Sequence, residues 1–260
     1  MKIVSWNINS IRIRLDAMQR VLEAHNPDVI LLQETKVNDV DFPYAIFRAM
    51  GYHHILCQGE PSYNGVAIIS KIAPSEVFAL NFYNQQKRHI AAKFNNIEIH
   101  NFYVPAGGDI PDVNVNTKFA HKIAYLDEMN DWFRLNRSNA SDIVLAGDLN
   151  IAPLEHDVWS SKALRYEVSH TDIERSLMLR NIKEFDWCDS FRHFVDPSQK
   201  LYSWWSYRNI DWEKSNRGRR LDHIWVTPSL KERLVSSLIF QDSRGWIKPS
   251  DHVPIFITLK

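Results

Sequence analysis

Asp142-Ile143-Val144-Leu145-Ala146 runs straight into Gly147-Asp148-Leu149-Asn150. The apolar, partly branched residues from Ile143 to Ala146 suit a strand buried on both faces. A carboxylate and an amide follow at its end, two residues apart. Four further segments repeat the arrangement. Lys2-Ile3-Val4-Ser5-Trp6 leads into Asn7-Ile8-Asn9, and Asp28-Val29-Ile30-Leu31-Leu32 leads into Gln33-Glu34-Thr35-Lys36. Arg220-Leu221-Asp222-His223-Ile224-Trp225-Val226 carries an acid inside a strand-like stretch, and Ser250-Asp251-His252 stands just before Val253-Pro254-Ile255-Phe256-Ile257. One acid beside a strand is commonplace. The repetition along the whole chain predicts strand ends converging on one acidic pocket that binds a divalent cation and does phosphate chemistry.

Short Val/Ile-containing runs at 2–6, 28–32, 65–70, 90–94, 97–104, 142–146, 221–227, 236–240 and 253–259 are predicted strands. Leu15, Met18 and Leu22 follow helical spacing up to a stop at Asn26-Pro27. Phe119, Ile123, Leu126 and Phe133 make a longer apolar stripe, with Lys118, Lys122, Asp127 and Asp131 read as its solvated side. A third helix is expected within 172–184. These stripes read as core packing, so the expectation is an α/β layered fold with its polar strand ends along one edge.

With 260 residues, 45% of them hydrophobic, the chain can bury one large core. No linker, low-complexity tract or repeat divides it, so 1–260 reads as a single domain. The formal net charge is zero, so any positive potential for nucleic acid must be local. Its two cysteines are too few for a disulfide framework. The apolar runs are too short to span a membrane, and Met1-Lys2-Ile3-Val4-Ser5 lacks the apolar core of a signal peptide. The expected setting is the cytoplasm of a bacterium, near its nucleoid, with no membrane partner.

The site candidates follow from what each side chain can do. Glu34 offers the carboxylate oxygen that a hard cation such as Mg²⁺ takes, with Asn9 or Asp251 in support. Asp148 and Asn150, if both lie on a strand, point to one side and can hold a water between them, the acid taking its proton and the amide orienting it. Gly147 leaves room for the close approach of a substrate backbone. A carboxylate such as Asp222 fixes the tautomer of His252 and raises its pKa, making a cation for phosphate charge. The Tyr103 phenol and the amides of Gly107-Gly108 are further phosphate donors. From Tyr202 to Arg220, Trp204, Trp205, Tyr207 and Trp212 alternate with Arg208, Lys214, Arg217, Arg219 and Arg220, which suits a nucleic-acid surface. Lys36, Arg12, Arg14 and Arg88 are weaker phosphate contacts. Each residue alone also has a plainer reading: a surface ion pair, an Asx turn, a structural histidine, a loop anchored by its aromatics. Together they describe a metal-dependent phosphodiesterase acting on a polyanion.

The set Trp6-Asn7-Ile8-Asn9, Leu32-Gln33-Glu34-Thr35-Lys36, Asn64-Gly65-Val66-Ala67-Ile68, Tyr103-Val104-Pro105, Gly147-Asp148-Leu149-Asn150, Ser203-Trp204-Trp205-Ser206-Tyr207-Arg208, Arg220-Leu221-Asp222 and Ser250-Asp251-His252 resembles the exonuclease III family of apurinic/apyrimidinic endonucleases. That family belongs to the wider endonuclease/exonuclease/phosphatase superfamily. The resemblance implies a four-layered α/β sandwich, two mixed β-sheets flanked by helices, as in DNase I-like proteins. It implies a monomer that cuts double-stranded DNA 5′ to abasic sites, with 3′→5′ exonuclease and 3′-end-cleaning activity on blocked ends. Glu34 would be the main Mg²⁺ ligand, with Asn9 and Asp251 nearby and Mn²⁺ as a substitute. Asp148 would activate water positioned by Asn150. His252, paired with Asp222, would hold the scissile phosphate, with Asn7 and Tyr103 on that phosphate or its leaving oxygen. Trp204 and Leu221 would line the pocket for a flipped-out abasic sugar. Lys36, Arg12, Arg88, Arg208, Arg217 and Arg219 complete the DNA-contact set. Two positions depart from the family pattern: Ala106 stands where relatives carry an amide, and Arg219 where they carry an apolar residue. A phosphatase for inositol phosphates or sphingolipid, and a non-catalytic nucleic-acid-binding protein, are the alternatives.

Overall fold

The computed structural model describes residues 1–82 and 86–260. Its strands are β1 (Lys2–Asn7), β2 (Val29–Gln33), β3 (His54–Gln58), β4 (Val66–Ser70), β5 (Glu76–Phe78), β6 (His89–Phe94), β7 (Ile97–Tyr103), β8 (Ile143–Asp148), β9 (Cys188–Asp189), β10 (Asp222–Val226), β11 (Leu234–Ile239) and β12 (Ile255–Leu259). They form two six-stranded sheets, ordered β11-β12-β1-β2-β4-β3 and β5-β6-β7-β8-β10-β9. Each sheet is antiparallel except for one parallel pair, β1 with β2 and β7 with β8. The helices are α1 (Leu15–His25), α2 (Tyr44–Ala49), α3 (Thr117–Asn136), α4 (Ser161–Leu164), α5 (Asp172–Phe185), α6 (Trp212–Ser215) and α7 (Pro228–Lys231).

The inner faces of both sheets share one apolar layer. Ile3, Val29, Leu31, Val66 and Ile68 meet Ile90, Phe94, Ile99, Val144, Ala146 and Ile224 there. On the outer face of the first sheet, Val4, Trp6, Ile30 and Leu32 pack on Met18, Val21 and Leu22 of α1 and Phe47 of α2. On the outer face of the second, Phe102, Ile143 and Leu145 pack on Tyr125, Leu126, Met129 and Phe133 of α3 and Met178 and Phe185 of α5. The layers are therefore helix, sheet, sheet, helix, as the family resemblance implied. Strands buried on both faces are what continuous Val/Ile/Leu runs require. Among the described residues, no helix is long and apolar enough to cross a membrane.

Three strands escaped the sequence reading: β3, β5 and β9. All three are sheet edges, where one side meets no partner strand and the apolar run that betrays a central strand is not needed. The stripe of α3 also differs from expectation. Its buried residues include Phe119, Lys122, Leu126, Met129 and Phe133, while Ile123 is only half-buried. Lys122 thus lies on the core side. Its ammonium donates to Glu174 Oε1 of α5 at 2.5 Å, to Asn150 O at 2.8 Å and to Ala106 O at 3.2 Å. A buried ammonium is tolerated because all three protons find acceptors.

The parallel pairs place four strand ends at one edge of the sandwich. Asn7 pairs with Gln33 at the end of β1 and β2, and Tyr103 with Asp148 at the end of β7 and β8. Asp222, at the start of antiparallel β10, sits beside Asp148. Gly147 has φ 141°, and a Cβ there would lie 1.9 Å from Phe102 O. Its missing side chain makes room for the neighbouring strand, not for a substrate backbone as the sequence suggested.

Candidate active site

Asn7 joins the two sheets at this edge. Its amide donates to Glu34 Oε1 at 2.9 Å and to Asp148 Oδ2 at 2.9 Å. Glu34 follows β2 with φ 50° and Lys36 has φ 53°, a left-handed backbone costly for such residues. Backbone bonds from Ser10 N to Glu34 O (2.7 Å) and Thr35 N to Gly65 O (3.1 Å) hold this turn. It presents the carboxylate to three donors: Asn7, the Tyr103 phenol at 2.7 Å and Lys36 Nζ at 2.7 Å. Burial pushes the Glu34 pKa up, but the Lys36 ammonium and the hydrogen bonds of Asn7, Lys36 and Tyr103 outweigh it, so the group stays ionised below its usual range.

Asp148 is buried. Its Oδ2 accepts from the Asn150 amide at 3.1 Å, and its Oδ1 from Asn150 N at 2.9 Å. Asn150 has φ 54°, so an Asx-type turn makes this contact, not the strand alternation expected from the sequence. The same amide donates to Val104 O at 2.9 Å. Burial lifts the Asp148 pKa to about 7, with Asp222 adding to the rise and His252 opposing it.

His252 Nδ1 lies 2.8 Å from Asp222 Oδ2, and its Nε2 lies 3.6 Å from Asp148 Oδ2. Burial alone would lower its pKa, but the Asp222 and Asp148 carboxylates outweigh burial and lift it to about 10. The imidazole is therefore a cation at neutral pH, flanked by two acids. Asp222 is fixed in turn by Ser203 Oγ, which donates to Oδ2 at 2.6 Å and accepts from Leu221 N and Asp222 N at 3.1 Å each. Ser203→Ala leaves two buried N–H groups without an acceptor, so a loss of about 1–3 kcal/mol is expected in denaturant melts. A drop of about tenfold in turnover should accompany it, because His252 loses its fixed partner.

Asn9 and Asp251 close the other flank. Asn9 Nδ2 donates to Asp251 Oδ1 at 3.1 Å, and Trp204 Nε1 to Asp251 Oδ2 at 3.0 Å. Burial pushes Asp251 up, but His252, Trp204 and Asn9 more than offset it and its pKa falls. Lys36 Nζ is 2.7 Å from Glu34 Oε2 and 2.6 Å from Asn9 Oδ1. Two hard oxygens thus already converge on one positive charge, which fits the donor set of a hard divalent cation. Asp148, Asp222 and His252 also bring ligand-type atoms within 4.8 Å of one another. A protonated imidazole offers no lone pair to a metal, so Glu34 with Asn9 and Asp251 is the better-fitting group.

The site opens into a cleft of about 800 Å³ whose lining includes Tyr103, Trp204, Arg208, Arg217, Arg219 and Leu221. The remaining sequence candidates distribute unevenly. Arg12 is exposed, and no hydrogen bond or ion pair involves its side chain among the described residues. Arg88, read as a phosphate contact, is buried, donates to Tyr103 O at 3.3 Å and stacks 4.7 Å from the Tyr103 ring centre. It holds Tyr103 in place. Arg14 is also buried, donating to Asn9 O, to Tyr207 OH at 2.8 Å and to Pro249 O at 3.0 Å. Sequence reasoning passed over Ser203 as a positioning residue, and Gln33 and Asn101, whose side chains meet at 2.6 Å between the sheets. Small polar residues in apolar runs were their only signal.

The family model described as endonuclease/exonuclease/phosphatase matches residues 4–252, nearly the whole chain. The chain belongs to that family. Within the endonuclease/exonuclease/phosphatase family it falls on the exonuclease III and AP endonuclease branch. It is 32% identical to the exodeoxyribonuclease III of Haemophilus influenzae, with all of both chains covered. An AP endonuclease structure from Archaeoglobus fulgidus superposes with a TM-score of 0.93 at 33% identity, covering 100% of this chain and 99% of that one. A 3′ phosphatase from Neisseria, bound to product DNA hairpin, gives 0.90 at 30% identity, with 100% and 99% covered.

Proposed function

We propose that this chain is a Mg²⁺-dependent DNA-repair phosphodiesterase. It hydrolyses the backbone of double-stranded DNA 5′ to abasic sites and trims or clears 3′ ends. The observation that carries this reading is the single hydrogen-bonded network in which Asn7 ties Glu34 to Asp148 within reach of the His252–Asp222 pair. A base, a cation and a hard-oxygen group stand together at the mouth of a cleft lined by arginines and tryptophans.

Asp148, with its pKa near 7, takes a proton from water while Asn150 restrains its orientation. The water oxygen bonds to phosphorus, the bond to the 3′-oxygen breaks with its electron pair on that oxygen, and the oxygen takes a proton from solvent to become a hydroxyl. The His252 imidazolium, fixed by Asp222 before the reaction begins, faces the charge that builds on the phosphate oxygens. The two amide protons of Asn7 are already given to Glu34 and Asp148, so it positions those acids. Glu34, Asn9 and Asp251 would hold Mg²⁺, or Mn²⁺ in its place, which when bound neutralises phosphate charge as a Lewis acid. Arg208 and Arg217 are exposed on the cleft and suit backbone phosphates. Trp204 and Leu221 offer an apolar wall for an extruded sugar.

The test is one labelled duplex with a single abasic-site analogue, incubated with Mg²⁺ or with EDTA. A single cut 5′ to the analogue, seen only with Mg²⁺, is expected. No cleavage of that duplex, alongside release of phosphate from inositol phosphates, would reassign the chain to the phosphatase side of its family.

A further inference from the structure

Arg219 lines the cleft and is only half-buried, yet it forms no ion pair with a carboxylate among the described residues. Its place is set by the backbone. Trp204 bridges antiparallel to Arg219 on one side and to His252 on the other. Neighbouring strands lie about 4.8 Å apart, so the Arg219 backbone is roughly 10 Å from that of His252. The side chain returns over Trp204, with its guanidinium carbon 5.5 Å from the ring centre. The same indole donates to Asp251. His252, Trp204 and Arg219 therefore form a row across the cleft.

One terminal nitrogen is committed: Nη1 donates to Val168 O at 2.8 Å and to Ser169 Oγ at 2.6 Å. These are uncharged acceptors. Nε and Nη2 have no protein acceptor among the described residues. Glu167 and Glu174 act on it only from beyond ion-pair distance. A guanidinium that is partly out of water, with unused donors and no paired carboxylate, attracts an anion with planar, two-oxygen geometry. It shares the cleft lining with Leu164, Val168 and Leu221, apolar side chains that a neutral sugar would pack against.

We propose that Arg219 is a specificity-determining residue that receives a small acidic group carried on the scissile phosphate at a 3′ end, such as the carboxylate of a 3′-phosphoglycolate. It does so in preference to the neutral sugar of an internal abasic site. This rests on the phosphodiesterase reading above. The chemistry is unchanged: water oxygen bonds to phosphorus, Asp148 takes the water's proton, the phosphorus–3′-oxygen bond breaks with its electron pair on the 3′-oxygen, which takes a proton from solvent to become a hydroxyl, and phosphoglycolate departs. An internal site offers another anion, the phosphate on the far side of its sugar, and the substrates below separate the two.

Three duplexes are compared, ending in 3′-phosphoglycolate, ending in 3′-phosphate, or carrying an internal tetrahydrofuran abasic analogue. For Arg219→Leu, the ratio of kcat/KM on phosphoglycolate to that on the internal analogue is expected to fall by about tenfold to a hundredfold, the worth of a charged hydrogen bond. The 3′-phosphate duplex should lose less, since it lacks the extended acid. An equal loss on all three, a loss greatest on the internal analogue, or an unchanged ratio would each overturn the assignment. Arg219→Lys keeps the charge without the fork and should lower the ratio several-fold, and this variant decides the matter if the leucine variant does not fold. Failure of the wild-type protein on all three duplexes with Mg²⁺ would instead sink the phosphodiesterase reading, and this inference with it.

Discussion

Asp148→Asn should lower kcat on an abasic duplex by about 10²–10⁴-fold, the range for losing a positioned general base. Duplex binding should survive, because Arg208, Arg217 and the tryptophan wall lie elsewhere in the cleft. The side chain stays the same size, but its hydrogen bonding changes. Asp148 Oδ2 accepts from both Asn7 and Asn150, and an amide nitrogen in that position would face two donors. That mismatch costs about 1–3 kcal/mol on its own, so a rate loss alone would not identify the base. The pH profile separates the two causes. The wild-type rate should rise about tenfold per unit as pH climbs towards 7, where Asp148 loses its proton, and then level off. The variant should be slow and flat through that window. A variant that kept the wild-type rise would remove Asp148 as the base, whatever its rate.

Why Asp148 could be found from sequence at all has a physical reason. Strands buried on both faces leave no use for an acid except at their ends, so Glu34, Asp148, Asp222 and Asp251 stood out against their runs. The residues that stayed hidden broke that logic. Lys122 lies on the apolar stripe of α3, where patterning puts Ile123, because the ammonium is satisfied by Glu174 and two carbonyls. Nothing local in the sequence announces a partner 52 residues away. Asn150 reaches Asp148 through a left-handed turn, and the notion of a common strand face was the wrong route to the right contact. Arg88 looked like a phosphate ligand because it is basic and near Tyr103. Burial turned it into a brace for that tyrosine. Sequence reasoning finds the groups that chemistry needs more readily than the groups that hold them, since a holding group can be of almost any type.

Arg220 is such a holding group, and Arg220→Met should be the most destabilising change considered. Its guanidinium is fully buried, 2.9 Å from both carboxylate oxygens of Asp157 and 2.7 Å from Asp189 Oδ2. Arg192 adds a second guanidinium to Asp157 at 2.5 Å. Arg220 immediately precedes Leu221 and Asp222, so the cluster anchors the strand that carries the partner of His252. Removing one member of a buried ion pair costs about 3–5 kcal/mol, because Asp157 stays buried with only Arg192 opposite it and Asp189 loses its charge partner. At roughly 2–4 °C per kcal/mol for a chain of this size, the melting temperature should drop by about 6–20 °C. The pH dependence carries the sign of the effect. Burial alone would raise the Asp157 pKa, but Arg220 and Arg192 hold it below the ordinary value. A depressed carboxylate contributes stability that is complete above its unfolded pKa of about 4 and is lost as pH falls through the lower folded value. The gap between wild type and variant should therefore be widest near neutrality and narrow below about pH 4. A gap that held constant from pH 7 to pH 3 would mean that lost packing, not lost charge pairing, explains the change. Pairing the variant with Asp157→Asn should recover part of the loss, since the second change removes the buried acid that has lost one of its two guanidinium partners.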